Sequence, residues 1–559
     1  MDNYQIADTF SLLSKLMDIH GENSFKSKSY SVAAFTIEKL PVQLIDLSDD
    51  KIAGIKGIGN STAQKIRELL DTGKLKQLET LVNTTPPGVI EMLNIKGIGP
   101  KKIHSIWKEM EIESIGELLY ACQENRLKLY KGFGEKTQQN VIDTIEFYFK
   151  NKESHLYAQV ALVEEHISSF LKAMFPASRV SLTGAFLRQV ETIDELEYVL
   201  ETTVDKVRSL MNKEDGFTEK QTGDDWIIYR TSAGISIKLY CAEGNMFDKK
   251  SIETSFHSDQ WELIQQLPEF SKADFSSDQN FFRSIHSSFI PTPLRENKEL
   301  FEWIIKNGTP ELIQTKDIKG IIHAHSNWSD GAATIEEMAS ALKQRGLEYL
   351  VISDHSKTAF YANGLSIERL KEQQNYIDEL NKKLVPFKIF KSIESDILND
   401  GSLDYPDEIL ASFDLVIASV HSNLKMTEDK AMQRLLTAIA NPYTTILGHL
   451  TGRLLLSRAG YPVNYGQVFE ACLKNNVAIE LNAHPNRLDI DWRFIRSALD
   501  RGLKISIDPD AHFIEGFDDV KYGVLVAQKA GVTKSDNLSS LSLNEFERYL
   551  SERKTRIKR

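Results

Sequence analysis

Two histidines separated by a single residue, His323 and His325, follow the apolar run 318–322, and Asp330 comes next in the same loop. The run reads as a buried strand, and side chains at i and i+2 of a strand share a face. Both imidazoles would leave the strand end together, beside a hard carboxylate, a set able to take a metal ion. One His-x-His pair alone is weak, but the pattern repeats. Residues 349–353 lead into Asp354 and His355, 387–393 into Glu394, 415–420 into His421, 444–447 into Gly448 and His449, and 503–507 into Asp508, Asp510 and His512. Six apolar runs thus end in His, Asp or Glu, with helix-like stretches between them. In α/β barrels the C-terminal strand ends carry the chemistry, because their loops converge on one mouth. A single such ending would be a cap or loop residue; six in register describe a site.

The elements that must position these residues belong to a long chain. At 559 residues it exceeds one hydrophobic core, and roughly three to five domains are expected. Neither a signal-peptide pattern nor a run of transmembrane length is present, so no membrane association is expected. Cys122, Cys241 and Cys472 are far apart and lack CxxC spacing. That argues against a disulfide framework and a thiolate metal site, and a reducing cytoplasm is expected. The net charge of −12 disfavours a nonspecific polycationic DNA binder but leaves room for local phosphate sites.

Residues 1–82 read as helical, with Ile6, Phe10, Leu13, Leu16 and Met17 at the spacing of a buried face. Residues 21–30 read as a polar loop leading to a second helix. The stretch Ile55-Lys56-Gly57-Ile58-Gly59 recurs as Ile95-Lys96-Gly97-Ile98-Gly99, and more loosely as Tyr130-Lys131-Gly132-Phe133-Gly134. Gly-apolar-Gly makes a tight turn that exposes backbone N–H groups at the next helix N-terminus, where they and the helix dipole suit a phosphate. Lys101 and Lys102 follow the second copy, and residues 51–150 hold 15 Lys and Arg against 12 Asp and Glu. One copy would be a plain helix–turn–helix connection; three form an internal repeat suited to phosphates.

The stretches HAHSNWSDG, ISDH, SIESDIL, ASVHS, LGHLTGR and DPDAH, from Asp317 to about residue 535, resemble in order the motifs of the polymerase-and-histidinol-phosphatase (PHP) domain. The resemblance implies a distorted α/β barrel holding up to three divalent ions. Its ligands would be His323, His325, Asp330, His355, Glu394, His421, His449, Asp510 and His512. Mixed imidazole and carboxylate ligation suits Mn, Zn or Fe better than Mg or Ca, with Mn the leading expectation. The implied reaction is metal-assisted phosphoester hydrolysis. Asp354 and Asp508, beside ligand positions, are expected to orient ligands; in particular, Asp354 is expected to orient His355. His484 reads as a cap or a substrate contact, and Arg453 and Arg487 as phosphate clamps or salt-bridge partners. Trp107 and Trp226 are expected in cores.

The three glycine turns resemble helix-hairpin-helix modules, which grip DNA backbones without reading bases. Together with GENSFKSKSY and TGKLKQLE, they make the N-terminal region similar to that of bacterial family X DNA polymerases. Lys65 falls on the position that forms a Schiff base in lyase-active relatives; a surface lysine contacting phosphate is the equal alternative. Residues 156–245 occupy the place of the polymerase palm, where the family pattern is Gly-Ser-x-Arg-Arg and then three aspartates. Here Gly184 and Arg188 match, Ala185 and Leu187 do not, and Glu195, Glu197 and Lys238 stand at the acid positions. An ammonium in place of a carboxylate opposes two-metal nucleotidyl transfer. The thumb stretch Thr254-Ser255-Phe256-His257 also departs from the family's pattern.

The expected architecture is multidomain. A helical lyase-like domain with helix-hairpin-helix (1–82) precedes a helical fingers-like domain (83–155). An α+β nucleotidyltransferase-like degenerate palm (156–245) and a thumb-like segment (246–290) follow. A linker (291–316), marked as extended by Pro291 and Pro293, leads to the α/β PHP barrel (317–559) and a solvated basic tail. The expected function is DNA repair by a monomer acting at 3′ ends of gapped or nicked duplex, as a 3′→5′ exonuclease without polymerase chemistry. A working gap-filling polymerase and a non-catalytic DNA-bound scaffold are the open alternatives, and the barrel alone would also suit a small-molecule phosphatase.

Overall fold

The computed structural model describes residues 1–559 except 2, 39, 41, 96, 150–153, 297, 558 and 559. Lys96, Asn297, Lys558 and Arg559, which belong to segments singled out above, therefore lie outside the described residues. The chain forms two compact units, Met1–Phe147 and Tyr148–Arg559.

The first unit is helical. Ile6, Phe10, Leu13, Leu16 and Met17 are buried on helix Asn3–Ile19. The second helix spans Ser24–Glu38, so most of the stretch expected as a polar loop is helical. Asn23 starts it, its Oδ1 accepting from the Phe25 and Lys26 N–H groups at 3.0 and 3.3 Å. This is N-cap chemistry that the polar composition concealed. Residues before and after position 82 share one core: His104 Nδ1 bonds the Ile19 carbonyl at 2.8 Å, and His20 meets the Trp107 ring edge-on at 5.0 Å.

The second unit begins with a five-stranded sheet in the order Val180–Thr183, Glu195–Leu200, Ser236–Cys241, Trp226–Thr231, Phe217–Thr222. All neighbours are antiparallel except the parallel pair 195–200 and 236–241. Helices Asn245–Thr254, Ser258–Gln265 and Asp278–Ser284 follow, around an aromatic core of Phe256, Trp261, Phe281 and Phe282. The linker is not extended throughout. It contains helix Lys298–Asn307, whose Leu300, Phe301 and Ile304 pack into that aromatic core. The helical spacing of these apolar residues outweighs the proline signal upstream.

The remainder is a distorted barrel. Gly320–Ala324, Tyr349–Ile352 and Lys388–Lys391 form one parallel sheet; Glu394–Asp396, Val416–Ser419, Thr444–Leu447, Ala478–Asn482 and Ile505–Asp508 form another. Parallel bridges Ala324–Ala511 and His355–Glu394 join the two sheets at their edges. Helices between strands start at side-chain caps: Thr334, Ser366, Thr427, Asn464 and Asp491 each accept a bond from a first-turn N–H. The C-terminal helix Leu543–Ile557 adds Phe546, stacked on Tyr349 at 4.7 Å between ring centres. Its Arg553 donates to the carbonyls of Asn475, Asn476 and Thr444. These lie at the N-terminal ends of strands. In the tail, Lys554 pairs with Asp414 at 3.0 Å.

Candidate metal centre and phosphate-gripping turns

The C-terminal strand ends gather all nine expected ligands into one buried cluster. Glu394 is its hub. Its carboxylate lies 3.3 Å from His323, 3.7 Å from His325, 3.0 Å from His355, 3.1 Å from His421 and 2.9 Å from His449. Asp510 approaches His325 at 3.0 Å and His323 at 3.4 Å, while Asp330 approaches His355 at 3.4 Å and His512 at 3.5 Å. Three overlapping sets have ligand atoms within 4.8 Å of one another: His325, Asp330, His355 and His512; His323, His325 and Asp510; His355, Glu394 and His421.

The pairing of His323 with His325 does not come from simple strand alternation. The strand register shifts between Ile321 and Ala324, and His323 adopts a left-handed φ of 61°. Asp510 also has a positive φ, 53°. Such backbone in non-glycine residues is held by its surroundings, and it concentrates at functional sites. Gly331 turns the loop toward Asp330 so tightly that a Cβ there would lie 2.1 Å from the His325 carbonyl oxygen.

Three residues that the sequence reading did not single out orient the ligands. Glu480 Oε1 accepts from His323 Nδ1 at 2.5 Å, and its other oxygen accepts from the His449 N–H at 2.6 Å. Asp396 Oδ1 accepts from His421 Nδ1 at 2.5 Å. Asn482 donates to Asp510 Oδ2 at 3.0 Å. Each bond to an imidazole Nδ1 orients the ring so that Nε2 faces the cluster. The signal for Asp396 was its place two residues after Glu394; for Glu480 and Asn482 it was a seventh strand, in which the acid interrupts the apolar run.

Burial opposes charge on His323, His355 and His421, but the surrounding carboxylates outweigh it and raise all three pKa values. Burial would likewise raise Asp330, Glu394 and Asp510, yet the facing imidazoles hold them well below the ordinary range. His325 and His449, where burial dominates, fall to about 3 and stay neutral. His323 Nε2, both His355 nitrogens and Glu394 Oε2 are buried and make no well-formed hydrogen bond among the described residues. Buried polar atoms aimed at one another at 3.0–3.7 Å fit divalent cations bound between them.

Asp354 does a different job from the one expected. It accepts from the Ser326 N–H at 2.8 Å, from Ser326 Oγ at 2.6 Å, from Ser329 Oγ at 2.5 Å and from Gln373 Nε2 at 2.6 Å. It thereby fixes the loop that carries Asp330 rather than the His355 ring. Asp508 accepts from Ser506 Oγ at 2.7 Å, and burial pushes its pKa well up. Arg453 is engaged by Asp491 at 2.6 Å and by the carbonyls of Arg487 and Leu488, which is structural pairing. Arg487 stays beside the centre, its Nε 3.9 Å from Asp510. His484 caps its own turn, Nδ1 accepting from the Asn486 N–H at 3.2 Å.

In the palm-like sheet, the acid positions are occupied by internal partners. Lys238 lies 3.9 Å from Glu195 and 5.0 Å from each of the Trp226 and Tyr240 rings. Trp226 is thus a half-buried platform for this lysine rather than a core residue. Glu197 accepts from the Ala185 N–H and the Tyr240 hydroxyl, both at 3.0 Å. Gly184 has φ 71°, and a Cβ there would overlap Glu197 Oε1 at 1.9 Å. Arg188 pairs with Glu296 at 3.0 Å and donates to the Thr254 and Phe256 carbonyls.

In the helical unit, the three turns repeat one conformation. Gly57, Gly97 and Gly132 have φ of 97°, 93° and 93°. Ile58, Ile98 and Phe133 are buried, each N–H donating back to the carbonyl three residues earlier. Gly59 and Gly99 cap helices Asn60–Thr72 and Pro100–Lys108, and helix Glu135–Phe149 follows Gly134. Nothing lies within 4 Å of a Cβ built on Gly59, Gly97, Gly99, Gly132 or Gly134, so the backbone is open to an incoming phosphate. Lys101 is exposed, and Lys102 reaches over the Phe133 ring at 5.5 Å. A cavity of about 590 Å³ beside the first turn is lined by Phe25, Lys26, Lys28, Tyr30, Gly57 and Ser61 among others; Lys65, on the adjoining helix, does not line it.

Fold and site together define a chain of repeated glycine hairpins and a barrel whose buried His, Asp and Glu cluster could hold metal ions. Known families bear this out. The helix-hairpin-helix domain family matches residues 1–75, the SAM-like helix-hairpin-helix tandem 89–146 and the PHP domain 322–484. The DNA polymerase/3′-5′ exonuclease PolX of Bacillus subtilis (strain 168) is 33% identical over 560 residues, covering 96% of each chain. A probable phosphatase of Thermoanaerobacter sp. (strain X514) is 27% identical over 247 residues, 42% of this chain and 95% of its own. One of Vibrio parahaemolyticus is 28% identical over 244 residues, 41% of this chain and 91% of its own. The chain belongs to the PolX family of bacterial family X DNA polymerases with a C-terminal PHP domain.

Proposed function

We propose that the chain acts in DNA repair as a 3′→5′ exonuclease through its PHP centre, and that its palm no longer polymerises. The convergence of nine ligand side chains at one barrel mouth, with Glu394 between five imidazoles, carries the reading. Divalent ions, Mn foremost and Zn or Fe next, supply Lewis acidity and a water of lowered pKa when bound. The protein's own part is to hold the imidazoles and ionised carboxylates in place before substrate arrives. Glu480 and Asp396 set the ring tautomers, and Asp354 fixes the Asp330 loop. Arg487 places a cation beside the centre, suited to an incoming phosphate.

DNA is held by the three hairpin turns through backbone phosphates, which suits gapped or nicked duplex with a free 3′ end. The reading describes a monomer in the cytoplasm. Its three cysteines are free and buried, and no helix among the described residues is long and apolar enough to cross a membrane. Loss of polymerase chemistry is supported by Lys238 beside Glu195 and by Arg188 committed to Glu296. Likeness over 96% of a relative named a DNA polymerase favours the second reading, a working gap-filling enzyme.

A 5′-labelled primer on gapped duplex with Mn²⁺, with and without dNTPs, separates the two. Ladder-like shortening that ignores dNTPs and disappears in His323→Ala/His325→Ala is expected. Extension on dNTP addition that persists in the variant would establish the second reading, and neither change would leave a DNA-bound scaffold. Lys65 as a Schiff-base lyase is tested in parallel by borohydride trapping on a 5′-deoxyribose phosphate end.

A further inference from the structure

We infer that Phe360 is a stacking platform for the unpaired base at a DNA 3′ end, so that the PHP centre selects frayed, mismatched or single-stranded ends. The inference rests on the reading of the chain as a 3′-end nuclease and deepens it. Phe360 stands on an arch that leaves the barrel directly after the ligand His355. The arch is closed at its base by the Leu365 N–H donating to the His355 carbonyl at 2.9 Å. A Cβ on Gly364 would lie 1.9 Å from the Ser356 carbonyl oxygen, so the two legs are in direct contact.

Both sides of the arch are fastened to ligand-bearing loops. Thr358 Oγ1 donates at 2.7 Å to Asp396, the carboxylate that holds His421. Asn363 Nδ2 donates to the carbonyls of Trp328 and Ser329 at 3.2 and 3.3 Å, immediately before Asp330. Arg369 ties Asn363 to Trp328 from beneath. Phe360 is two residues from Thr358 and three from Asn363. At about 3.3–3.6 Å per extended residue its backbone lies at most about 7 Å from Thr358 and about 11 Å from Asn363.

The ring is turned outward between two alanines that are not. Ala359 and Ala362 are fully buried, whereas Phe360 is 76% exposed. The Tyr361 ring meets it edge-on at 5.9 Å. Exposed Lys357 accompanies it on the same arch. Phe513 directly follows the ligand His512 and is 37% exposed; the His512 carbonyl accepts from the Ala332 N–H at 2.8 Å, joining that loop to the Asp330 loop. At this exposure the ring adds little to the packing of the barrel. An exposed aromatic face on an arch tied to the ligand-bearing loops matches single-stranded nucleic acid, since every base offers a π-face. A paired terminal base exposes no such face until it leaves the helix.

The test uses the full chain and a single-stranded oligonucleotide with 2-aminopurine at its 3′ terminus, in Ca²⁺ to prevent turnover. Fluorescence is expected to change on binding of wild type and of Phe360→Trp, not of Phe360→Ala, and not when the probe base is internal. In Mn²⁺, the ratio of kcat/KM for mismatched over matched 3′ termini should be on the order of tenfold in wild type and fall toward one in Phe360→Ala. An unaltered fluorescence change and an unaltered ratio in Phe360→Ala would overturn the platform. A Phe360-dependent fluorescence change without any Mn²⁺-dependent shortening would sink the exonuclease reading and leave the platform standing.

Discussion

His323 and Glu480 meet at 2.5 Å, Nδ1 to Oε1, with both side chains wholly buried. The carboxylate fixes the proton on Nδ1 and turns Nε2 toward Glu394 and Asp510. Glu480→Gln should therefore raise the Mn²⁺ concentration for half-maximal activity by about 10- to 100-fold, with activity largely restored at saturating metal. A titration curve that overlays wild type would show that the pair has no part in metal binding.

The ligands themselves were legible because each stands at the end of an apolar run, where periodicity marks a strand and a polar residue marks its exit. Glu480 was not, because it interrupts its run from inside the strand. The left-handed backbone of His323 has no trace in the residue pattern: it is a tertiary constraint, imposed by the register shift beside Ala324. The linker helix was hidden behind two prolines that govern only the residues next to them. Asp354 was read from adjacency to His355, whereas its bonds run to Ser326, Ser329 and Gln373, contacts that only folding creates.

Gly184 and Glu197 share one volume, since a Cβ on the glycine would meet the glutamate oxygen at 1.9 Å and φ is already 71°. Gly184→Ala should destabilise the second unit by about 1–3 kcal/mol in chemical denaturation. The Mn²⁺-dependent exonuclease rate per folded molecule should hold, because the palm acids lie outside the metal centre. A full-strength palm with alanine would mean that Glu197 gives way freely.

Lys101 is exposed at the start of the helix after the second glycine turn. If it meets a phosphate, Lys101→Ala weakens duplex binding alike for all sequences. The slope of log K against log salt should become shallower by about 0.9, the share of one neutralised phosphate. Anisotropy titrations across a salt series measure this, and an unchanged slope would remove Lys101 from the interface.

Metal should stabilise as well as activate. A ligand that binds only the native state at about 100 times its Kd adds about 2.7 kcal/mol. Mn²⁺ after chelator treatment should thus raise Tm by several degrees, and the rise should vanish in His323→Ala/His325→Ala. Calorimetry of wild type and variant, each with and without metal, decides the point. An equal rise in the variant would place the stabilising ions elsewhere.

Lys529 carries the clearest pH signature. It is fully buried, donates to the Arg188 carbonyl at 2.7 Å and to Glu296 at 3.1 Å, and lies 4.7 Å from the Trp492 ring. Burial lowers its pKa to about 8, against the pull of Glu296. The unfolded chain titrates this lysine near 10.4, so between about pH 8 and 10.4 the unfolded state holds more protons than the native state. Native stability gained through this group therefore rises with pH across that window, and is lost again as pH falls through 8. Tyrosines held protonated in the fold oppose the trend above pH 10, so the comparison must be differential. The stability of wild type minus that of Lys529→Met, from urea denaturation at pH 7.0 to 9.5, should stay flat below 8 and climb above it. A flat difference across the range would mean that Lys529 keeps an ordinary pKa, and that the contact between Glu296 and the palm-like sheet does not depend on its charge state.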